Sequence, residues 1–504
     1  MSDPLEMEII KDEQLTYHQK VVALAQAAEN KLDVLGLTSK EKSFLEEGII
    51  CDLNEGDAPY RPRYNLIDFE KFMEQGSEFL ELKPAQSLEE AINNLLILYH
   101  HIPSVTTMPV YLGNIDQLLN PFIAKQKQSR QKNLELIKLF LTHIDRTLTD
   151  AFVHANIGPK KTMAGELILE AERELENPVP NLTLKYSKEI TPDDFAIEAV
   201  KTGLEVSKPY FTNHKMYTAD YGKEYGIASC YNGLPIGGGS LTLVRLNLKE
   251  LAERANSKNE YIEEQLPEAV RVMSGLMDKR IQFLVEESGF FESSFLVEEG
   301  LLSLDNYTAM FGVYGLAEAV NYLLELEDDQ EEDKRFGQDE EANQLGYQII
   351  DRLAEEVNKH ENKYCTASDN KFLLHAQSGI GSDQDTTPGC RIPIGEEPEM
   401  YQHIHQAADF HKFFPTGVSD IFAFDSTNQR NPEAVLDIIK GAMKQGLRMF
   451  AFYTEDSEMI RITGYLVKRS EMEKLKEGNS VLRDTTALGL ETTETQDLDN
   501  RKVR

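Results

Sequence analysis

The sequence predicts an α/β fold, and three observations lead to this class. The chain has 504 residues, 41% of them hydrophobic, which is enough to bury a sizeable core. Its first third is patterned for helices, with capping signals that begin at Thr38 and Ser87. From about Asn181 onward, short apolar runs alternate with helical segments, as in α/β architectures. Since no Pro- or Ser-rich linker interrupts the chain, one continuous domain is expected.

Individual elements follow from caps, periodicity and breakers. Helices are predicted over 16–35, 38–47, 87–99, 133–152, 190–203 and 343–360. A further helix begins at Asn431-Pro432-Glu433, with Asn as the cap and Pro at the first helical position, and ends at Gly446. Strands are predicted over 182–186, 241–248, 282–285 and 447–453. The acidic run over 327–333 is predicted to be a solvated loop.

Charge and cysteine usage exclude several classes of function. The net charge of −34 and a pI near 4.8 argue against nucleic acid or an anionic membrane as a partner, because phosphates would be repelled. Four well-separated cysteines form neither a disulfide framework nor a CxxC zinc site, which favours a reducing compartment. No run of about eighteen apolar residues and no signal-peptide core occurs. We therefore expect a soluble cytoplasmic protein.

Three closely spaced histidines could suggest a metal site. His403, His405 and His411 could join Cys390 or Cys365. Their spacing matches no standard set of ligands, so no metal is expected to be bound by this chain.

The run Arg461-Ile462-Thr463-Gly464-Tyr465, near the carboxyl end, indicates radical chemistry. Glycine has no side chain, so loss of one Cα hydrogen leaves a planar centre that the adjacent amide and carbonyl groups stabilise. With average residue usage, such a run arises by chance in on the order of one chain in a thousand of this length. It follows a predicted helix and strand, on a loop expected to enter the interior. The alternative is an ordinary Gly-Tyr turn at a strand end.

A buried glycine radical needs a relay to reach substrate, and a cysteine thiol can exchange a hydrogen atom with it. Among the four cysteines, Cys230 lies in the Gly- and Pro-rich run 229–240, which predicts a tight loop able to approach another backbone closely. A phosphate-binding loop is disfavoured because such loops lead into a helix, whereas 241–248 is predicted to be a buried strand. The alternative for Cys230 is an inert buried cysteine.

Together these stretches resemble glycyl radical enzymes. The 461–465 run is similar to their C-terminal signature, and 203–213 is similar to the G-x-P-x-F-x-N stretch that precedes their thiyl cysteine. The segments 311–321 and 181–186 resemble stretches of anaerobic ribonucleotide reductases and their relatives. The likeness runs from Asn181 to Tyr465, and with 56–64 and the cysteine loop it is nearest to the YjjI-like glycyl radical family.

The resemblance implies more than the patterning does. It implies a ten-stranded α/β barrel of two five-stranded halves surrounded by helices, in which a glycine loop and a cysteine loop meet. One domain would span 1–504, with a mostly helical part over 1–160, the barrel core over 180–465 and a C-terminal tail over 466–504. The cofactor would be a glycyl radical on Gly464. S-adenosylmethionine and an iron-sulfur cluster would belong only to a separate activating enzyme, and a homodimer is expected.

The reaction stays open. Formate-lyase-like enzymes carry adjacent cysteines, but Cys230 is followed by Tyr231; dehydratase-like members carry Cys-x-Glu, but position 232 is Asn. The four-cysteine zinc site of anaerobic ribonucleotide reductases is missing from the sequence. Asn232, Arg245 and Asn247 are candidate substrate-binding residues, although Arg245 could equally pair with a structural carboxylate. We expect an enzyme acting on a small polar metabolite; the alternatives are reductase-like or formate-lyase-like radical chemistry, or a catalytically silent scaffold.

Overall fold

The computed structural model describes residues 4–53, 55–106, 108–125, 128–222, 224–326, 334–376, 386–495, 498 and 501–503. The acidic run predicted as a loop over 327–333 lies outside these residues. The strands β1–β14 are, in chain order, Ile50–Cys51, Tyr64–Leu66, His154–Ile157, Asn181–Tyr186, Tyr210–Asn213, Tyr225–Ala228, Asn232–Pro235, Gly238–Asn247, Tyr307–Tyr314, Leu373–Ala376, Asp420–Phe424, Met449–Thr454, Met459–Arg461 and Leu466–Lys468.

Helices make up about half of the fold and pack around the strands. The helices α1–α21 are, in chain order, Leu5–Lys11, Tyr17–Glu29, Ser39–Glu46, Phe69–Gln75, Leu88–Tyr99, Ile115–Lys125, Arg130–Thr147, Met163–Leu175, Asp193–Val206, His214–Tyr221, Leu248–Ala252, Lys258–Glu260, Leu266–Gln282, Phe290–Ser293, Phe295–Glu298, Leu316–Glu325, Glu340–Lys359, Met400–His411, Pro432–Gln445, Arg469–Lys476 and Thr486–Thr495. None of the described helices combines the length and the apolar character that crossing a membrane requires.

The larger strands form two five-stranded mixed sheets. In one sheet, β8 pairs in parallel with β9, and β9 with β10, while β1 and β2 both pair antiparallel to β8. In the other, the order is β11-β12-β5-β4-β3, with a single antiparallel pair between β12 and β5. The strands are buried on both faces, as is usual when helices cover a mostly parallel sheet. This confirms the α/β class; closure of the two sheets into one barrel stays a prediction.

Two short hairpins lie apart from these sheets. Strands β6 and β7 form the cysteine hairpin, whose tip is the segment 229–231. Strands β13 and β14 form the glycine hairpin, whose tip is the segment 462–465. Both tips are buried, so each hairpin inserts its turn into the protein interior.

Several predicted elements are confirmed. The capping box at Thr38 opens α3, and the hydroxyl of Ser87 accepts the Glu90 amide at the start of α5. Asn431 caps α19, and Gly446 ends it in the left-handed region. Strand β8 follows the glycine-rich loop directly, as the argument against a phosphate-binding loop requires.

One predicted strand is wrong, and several strands were missed. The run 282–285 continues α13 and then forms a π-helical turn over Phe283–Glu287. Three apolar residues after Gln282 are too short a run to have a periodicity that separates a strand from a buried helix. The predicted helix over 133–152 ends at Thr147, ahead of the unpredicted strand β3. Strands β5, β9, β10 and β11 were also not predicted; β5 and β10 have four residues each.

Candidate functional site

The two hairpin tips meet, and Gly464 lies directly against Cys230. A Cβ atom placed on Gly464 would overlap the Cβ of Cys230 and would lie 2.6 Å from its Cα. No other residue type fits there, since even an alanine methyl group would collide with the neighbouring backbone. The two residues expected to exchange a hydrogen atom are therefore held in contact.

The backbone conformation of Gly464 does not itself require glycine. Its φ lies outside the left-handed region, in contrast to Gly446 at the end of α19. The amide of Ile462 donates to the Tyr465 carbonyl at 3.1 Å and closes the turn. Glycine is needed at position 464 for space against Cys230, which an ordinary turn at a strand end would not explain.

Three side chains at the starts of neighbouring parallel strands hold the two tips together. His154, Asn181 and Tyr210 are the first residues of β3, β4 and β5, so the register of the sheet brings them to one edge. The Asn181 side-chain amide donates to the carbonyl of Gly464. His154 bonds the carbonyl of Ser229, and the Tyr210 hydroxyl donates to the carbonyl of Cys230.

The proton positions in this network follow from its partners. A carbonyl oxygen only accepts, so Nδ1 of His154 carries the proton that is donated to Ser229. Its Nε2 then accepts from the Thr183 hydroxyl at 2.7 Å. Burial lowers the pKa of His154 to about 3, which keeps the ring neutral. The edge of the sheet formed by His154, Asn181 and Tyr210 therefore adds no charge next to Gly464.

The tip of the cysteine hairpin is strained as well as anchored. Ser229 has φ of 54°, a left-handed conformation that L-residues seldom adopt outside Asn, Asp and Gly. The bonds from His154 to Ser229 and from Tyr210 to Cys230 hold this turn in place. Because strained backbone persists only where surrounding contacts impose it, the position of Cys230 is closely determined.

The Cys230 sulfur is kept as a thiol. Burial raises the pKa of Cys230 to about 11, although Ser229, Thr463 and the Gly464 backbone oppose this shift by hydrogen bonding. At neutral pH the S–H bond is therefore intact. A hydrogen-atom relay needs that bond, whereas an ionic nucleophile needs the thiolate.

Arg461 supports the glycine hairpin from inside the protein. Its guanidinium donates to the Ser207 carbonyl and lies 5.0 Å from the ring centre of Tyr210. A longer contact of 3.5 Å reaches the Gly464 carbonyl. Burial lowers the pKa of Arg461 to about 10, so the side chain still carries its charge at neutral pH.

A cavity of about 430 Å³ opens beside Cys230. Its volume falls within the range typical of small-molecule sites. Ser229, Cys230 and Asn232 of the cysteine hairpin line it together with Tyr465. Its remaining walls come from the N-terminal region and from the segments around 63, 105, 150 and 483, and include Asp12, Gln19, Leu53, Arg63, Thr106, Asp150, Phe152, Arg483 and Asp484.

Asn232 is the predicted substrate-binding residue that reaches this cavity. Its amide nitrogen donates to the Ala228 carbonyl at 3.1 Å, while its Oδ1 is buried without a hydrogen-bond partner among the described residues. A buried amide oxygen without a partner is costly, so a hydrogen-bond donor on a ligand would be favoured there.

Arg245 and Asn247 do not line the cavity. Asn247 accepts the Lys249 and Glu250 amides as the cap of α11. Arg245 lies with its guanidinium 4.6 Å from the ring centre of Tyr314 and donates to the Asp52 carbonyl at 3.4 Å. These contacts belong to the packing of β8, so the geometry gives no support to a substrate-binding role for either residue.

The histidines and remaining cysteines have other surroundings. His403 and His411 bond the two carboxylate oxygens of Asp420, at 3.0 and 2.9 Å, while His405 lies against Tyr401. Within the described ranges, no group of three or more His, Cys, Asp or Glu side chains is arranged to hold a metal ion. None of the four cysteines, all of which lie among the described residues, forms a disulfide, and Cys51, Cys365 and Cys390 are absent from the lining of the cavity.

Sequence reasoning missed His154, Tyr210 and Asp150 as site residues. Each lies at the edge of a strand or turn that the patterning did not resolve. Tyr210 lies inside the motif-like stretch 203–213, but at a position that the motif leaves variable, and His154 and Asp150 belong to no recognised motif. Of the three anchoring residues His154, Asn181 and Tyr210, only Asn181 begins a strand that the sequence predicts. If the parallel order of β3, β4 and β5 had been known, it would have placed their first residues together.

Solved structures define the class of fold. The chain superposes on an anaerobic ribonucleotide reductase from Thermotoga maritima, in complex with dATP and CTP, with a TM-score of 0.69 and 14% identity, over 94% of this chain and 92% of that one. The glycerol-bound B12-independent glycerol dehydratase from Clostridium butyricum gives a TM-score of 0.67 and 13% identity, over 92% and 86%. The fold is that of glycyl radical enzymes.

Sequence comparison identifies the particular family. The family model for glycyl radical enzymes of YjjI type matches residues 15–504, and the chain belongs to this YjjI-like family. An uncharacterized protein of Haemophilus influenzae is 46% identical over 99% of this chain and 97% of its own length. The uncharacterized protein YjjI of Escherichia coli is 45% identical over 96% and 92%. Membership implies a protein-derived glycyl radical, which such enzymes generally acquire from an activating enzyme.

Proposed function

We propose that this protein is an enzyme that stores a radical on Gly464 and uses Cys230 to abstract hydrogen from a small polar metabolite. The observation that carries the proposal is the contact between the two hairpin tips, where Gly464 leaves no space for a Cβ beside Cys230. We further propose that the two five-stranded sheets are the halves of one barrel around this contact.

The relay transfers one hydrogen atom at each step. A radical S-adenosylmethionine activating enzyme removes one hydrogen atom from the Gly464 Cα. The Gly464 radical then takes the hydrogen atom of the Cys230 thiol, which the raised pKa of Cys230 keeps in place. The thiyl radical abstracts a hydrogen atom from substrate in the cavity, and the product radical later retrieves it from the same sulfur. The thiyl radical left on Cys230 then takes a hydrogen atom back from Gly464. The thiol and the glycyl radical are both regenerated, so no external reductant is needed.

The cavity favours a small polar substrate. Its volume of about 430 Å³ suits a metabolite, and Asn232, whose buried Oδ1 has no hydrogen-bond partner among the described residues, is one of its lining residues. Formate-lyase-like chemistry through adjacent cysteines is not favoured, because the Tyr231 hydroxyl donates to the Ala376 carbonyl and its ring stacks on His375. Position 231 thus has a packing role beside the relay.

Anaerobic activation tests this proposal. With its activating enzyme, the protein is expected to show a doublet electron paramagnetic resonance signal from the remaining Gly464 hydrogen. Exposure to air should then cleave the chain at residue 464 and release the segment that follows it. A protein that is correctly folded and mixed with a competent activating enzyme, yet gives neither signal nor cleavage, would instead be a silent scaffold.

A further inference from the structure

The cavity beside Cys230 contains a carboxyl group that the radical relay does not use. Asp150 lines the cavity and is 6% exposed. Its Oδ1 accepts the Phe152 amide at 2.8 Å. Arg63 and Arg483 line the same cavity but are engaged elsewhere, Arg63 with Glu55 and Arg483 with a pair of other carboxylates, Asp145 and Glu471. Asp150 is therefore a buried acid that faces the cavity without either of these cations as its partner.

Asp150 also lies close to the radical pair. The Phe152 ring packs edge-on against Tyr465, with ring centres 5.1 Å apart, and Tyr465 follows Gly464 in the chain. Tyr465 lines the cavity together with Cys230 and Asp150. The Phe152–Tyr465 contact therefore ties the segment that carries Asp150 to the glycine hairpin at the cavity beside Cys230.

We propose that Asp150 is the acid–base group of this cavity and acts on a substrate that carries a hydroxyl beside the C–H bond that Cys230 attacks. This inference rests on the proposed function. Asp150 would be the proton acceptor, a role that Asn232 cannot fill because an amide does not take a proton at neutral pH.

The chemical step balances without another reactant. The Cys230 thiyl radical takes a hydrogen atom from the substrate carbon and becomes a thiol. The Asp150 carboxylate then takes the proton of the adjacent hydroxyl, leaving a more strongly reducing oxyanion radical on the substrate. If the substrate radical rearranges, the Asp150 carboxylic acid returns the proton to the product oxygen; if an anionic group is lost, the acid gives the proton to that departing group. In either case the Cys230 thiol returns the hydrogen atom to the product radical and is left as the thiyl radical. The enzyme thus takes up and gives back one proton and one hydrogen atom.

The surroundings of Asp150 suit this exchange. Burial raises the pKa of Asp150 to about 7; the Asp484 charge adds to the shift, while hydrogen bonds from Phe152 and Thr106 oppose it. Both protonation states are then populated near neutral pH, as an efficient acid–base catalyst requires. The other titratable or charged groups that line the cavity are Asp12, Arg63, Tyr64, Cys230, Tyr465, Arg483 and Asp484.

Asp116 shows that a shifted pKa alone would not support the assignment. Burial raises the pKa of Asp116 also to about 7. Its carboxylate is enclosed by the Thr162 hydroxyl at 3.0 Å and by backbone amides, and it does not line the cavity. Exposure to the cavity beside Cys230 distinguishes Asp150 from this structural acid.

The test compares four variants in an anaerobic host that carries the activating enzyme. The metabolites whose levels differ between the wild type and Gly464→Ala define the turnover signature. We expect Asp150→Asn to keep the glycyl doublet but to weaken the signature by about 100-fold or more, as loss of a general base does. Asp150→Glu should restore part of it. Asp437→Asn, an exposed carboxylate on α19, is the matched control and should keep both.

Infrared spectroscopy gives a readout that does not depend on turnover. The wild type is expected to show protonated carboxyl bands from Asp150 and Asp116 that both disappear near pH 7. In Asp150→Asn the Asp150 band should be missing, while the Asp116 band should remain and titrate as before. A full signature in Asp150→Asn, or no titrating band assignable to Asp150, would overturn this inference. If the wild type itself shows no doublet and no signature, the proposed function fails instead.

Discussion

The glycine hairpin and the cysteine hairpin meet at their tips, but they differ in their surroundings. At the glycine tip, Thr463 and Gly464 are buried and neither lines the cavity, although the next residue, Tyr465, does. The cysteine tip has one side against Gly464 and another on a cavity of about 430 Å³. A stored radical needs protection from solvent, whereas a relay must also reach substrate. The position of Gly464 suits the first requirement, and the position of Cys230 suits the second.

The largest expected effect comes from giving the glycine tip a side chain. Gly464→Ala should abolish the glycyl signal, because the added methyl group removes the stabilised centre and collides with Cys230. Electron paramagnetic resonance after anaerobic activation measures this. Gly441→Ala is the matched control, since Gly441 has open space and lies in α19. A doublet from Gly464→Ala would show that the radical resides elsewhere.

The second expected effect separates storage from relay. Cys230→Ser should keep the glycyl signal and lose the turnover signature, because an alcohol O–H bond is too strong to exchange a hydrogen atom with glycine. Metabolite profiling of anaerobic cultures checks this, with Cys390→Ser, away from the cavity, as the control. Turnover that survives in Cys230→Ser would assign the relay to another residue.

A third effect concerns the segment that supports the glycine hairpin. Lys208 forms an ion pair with Glu172 at 2.7 Å, with both side chains fully buried, and it also donates to the Pro180 carbonyl just before Asn181. Lys208→Met leaves a buried charge without its partner and should lower the free energy of unfolding by about 3–5 kcal/mol. Chemical denaturation measures the loss.

The control for this change is an exposed ion pair. The side chains of Lys201 and Glu198 are 40% and 41% exposed. Lys201→Met removes this pair and should change the free energy of unfolding by less than about 1 kcal/mol. Adding Glu172→Leu to Lys208→Met should recover much of the loss. Equal effects of the single changes at 208 and 201 would contradict the view that the buried pair supports the glycine side.

A fourth effect concerns the cavity on the cysteine side. The folded-state pKa of Asp150 lies near 7, above the usual 3.8, so its contribution to stability is present at low pH and is lost as pH rises toward 7. Asp150→Asn should reduce the change in the free energy of unfolding between low and high pH by at most about 2–4 kcal/mol. Denaturation at pH 5 and pH 8 measures it, and an unchanged pH dependence would place Asp150 in a more solvated setting.

The smallest expected effects compare the anchors of the two tips. Tyr210→Phe removes the donor to the Cys230 carbonyl, and Asn181→Ala removes the donor to the Gly464 carbonyl. Each should cost about 1–3 kcal/mol, since a buried carbonyl loses its partner. Asn181→Ala is expected to alter the shape of the glycyl signal, and Tyr210→Phe to reduce turnover with that shape unchanged. If Asn181→Ala reduced turnover with the signal shape unchanged and Tyr210→Phe altered the shape, the roles of the two anchors would be reversed.

Local chemistry made part of this protein predictable from its sequence. Caps at Thr38, Ser87 and Asn431 predicted helix starts because they act within a few residues. Gly464 and Cys230 stood out because their residue types suit radical chemistry and their neighbours form recognisable motifs. The strand predicted over 282–285 is wrong because three consecutive apolar residues show no periodicity, and tertiary packing continues the helix there.

The arrangement of the site came from long-range pairing. His154, Asn181 and Tyr210 are scattered along the chain, and only the parallel register of β3, β4 and β5 brings them to the edge that holds both tips. The cavity likewise draws its walls from the N-terminal region, the segment around 150 and the segment around 483. A residue's type and neighbours are local properties that a sequence displays, whereas contact between distant residues depends on how the sheets and helices pack, which local patterning does not encode.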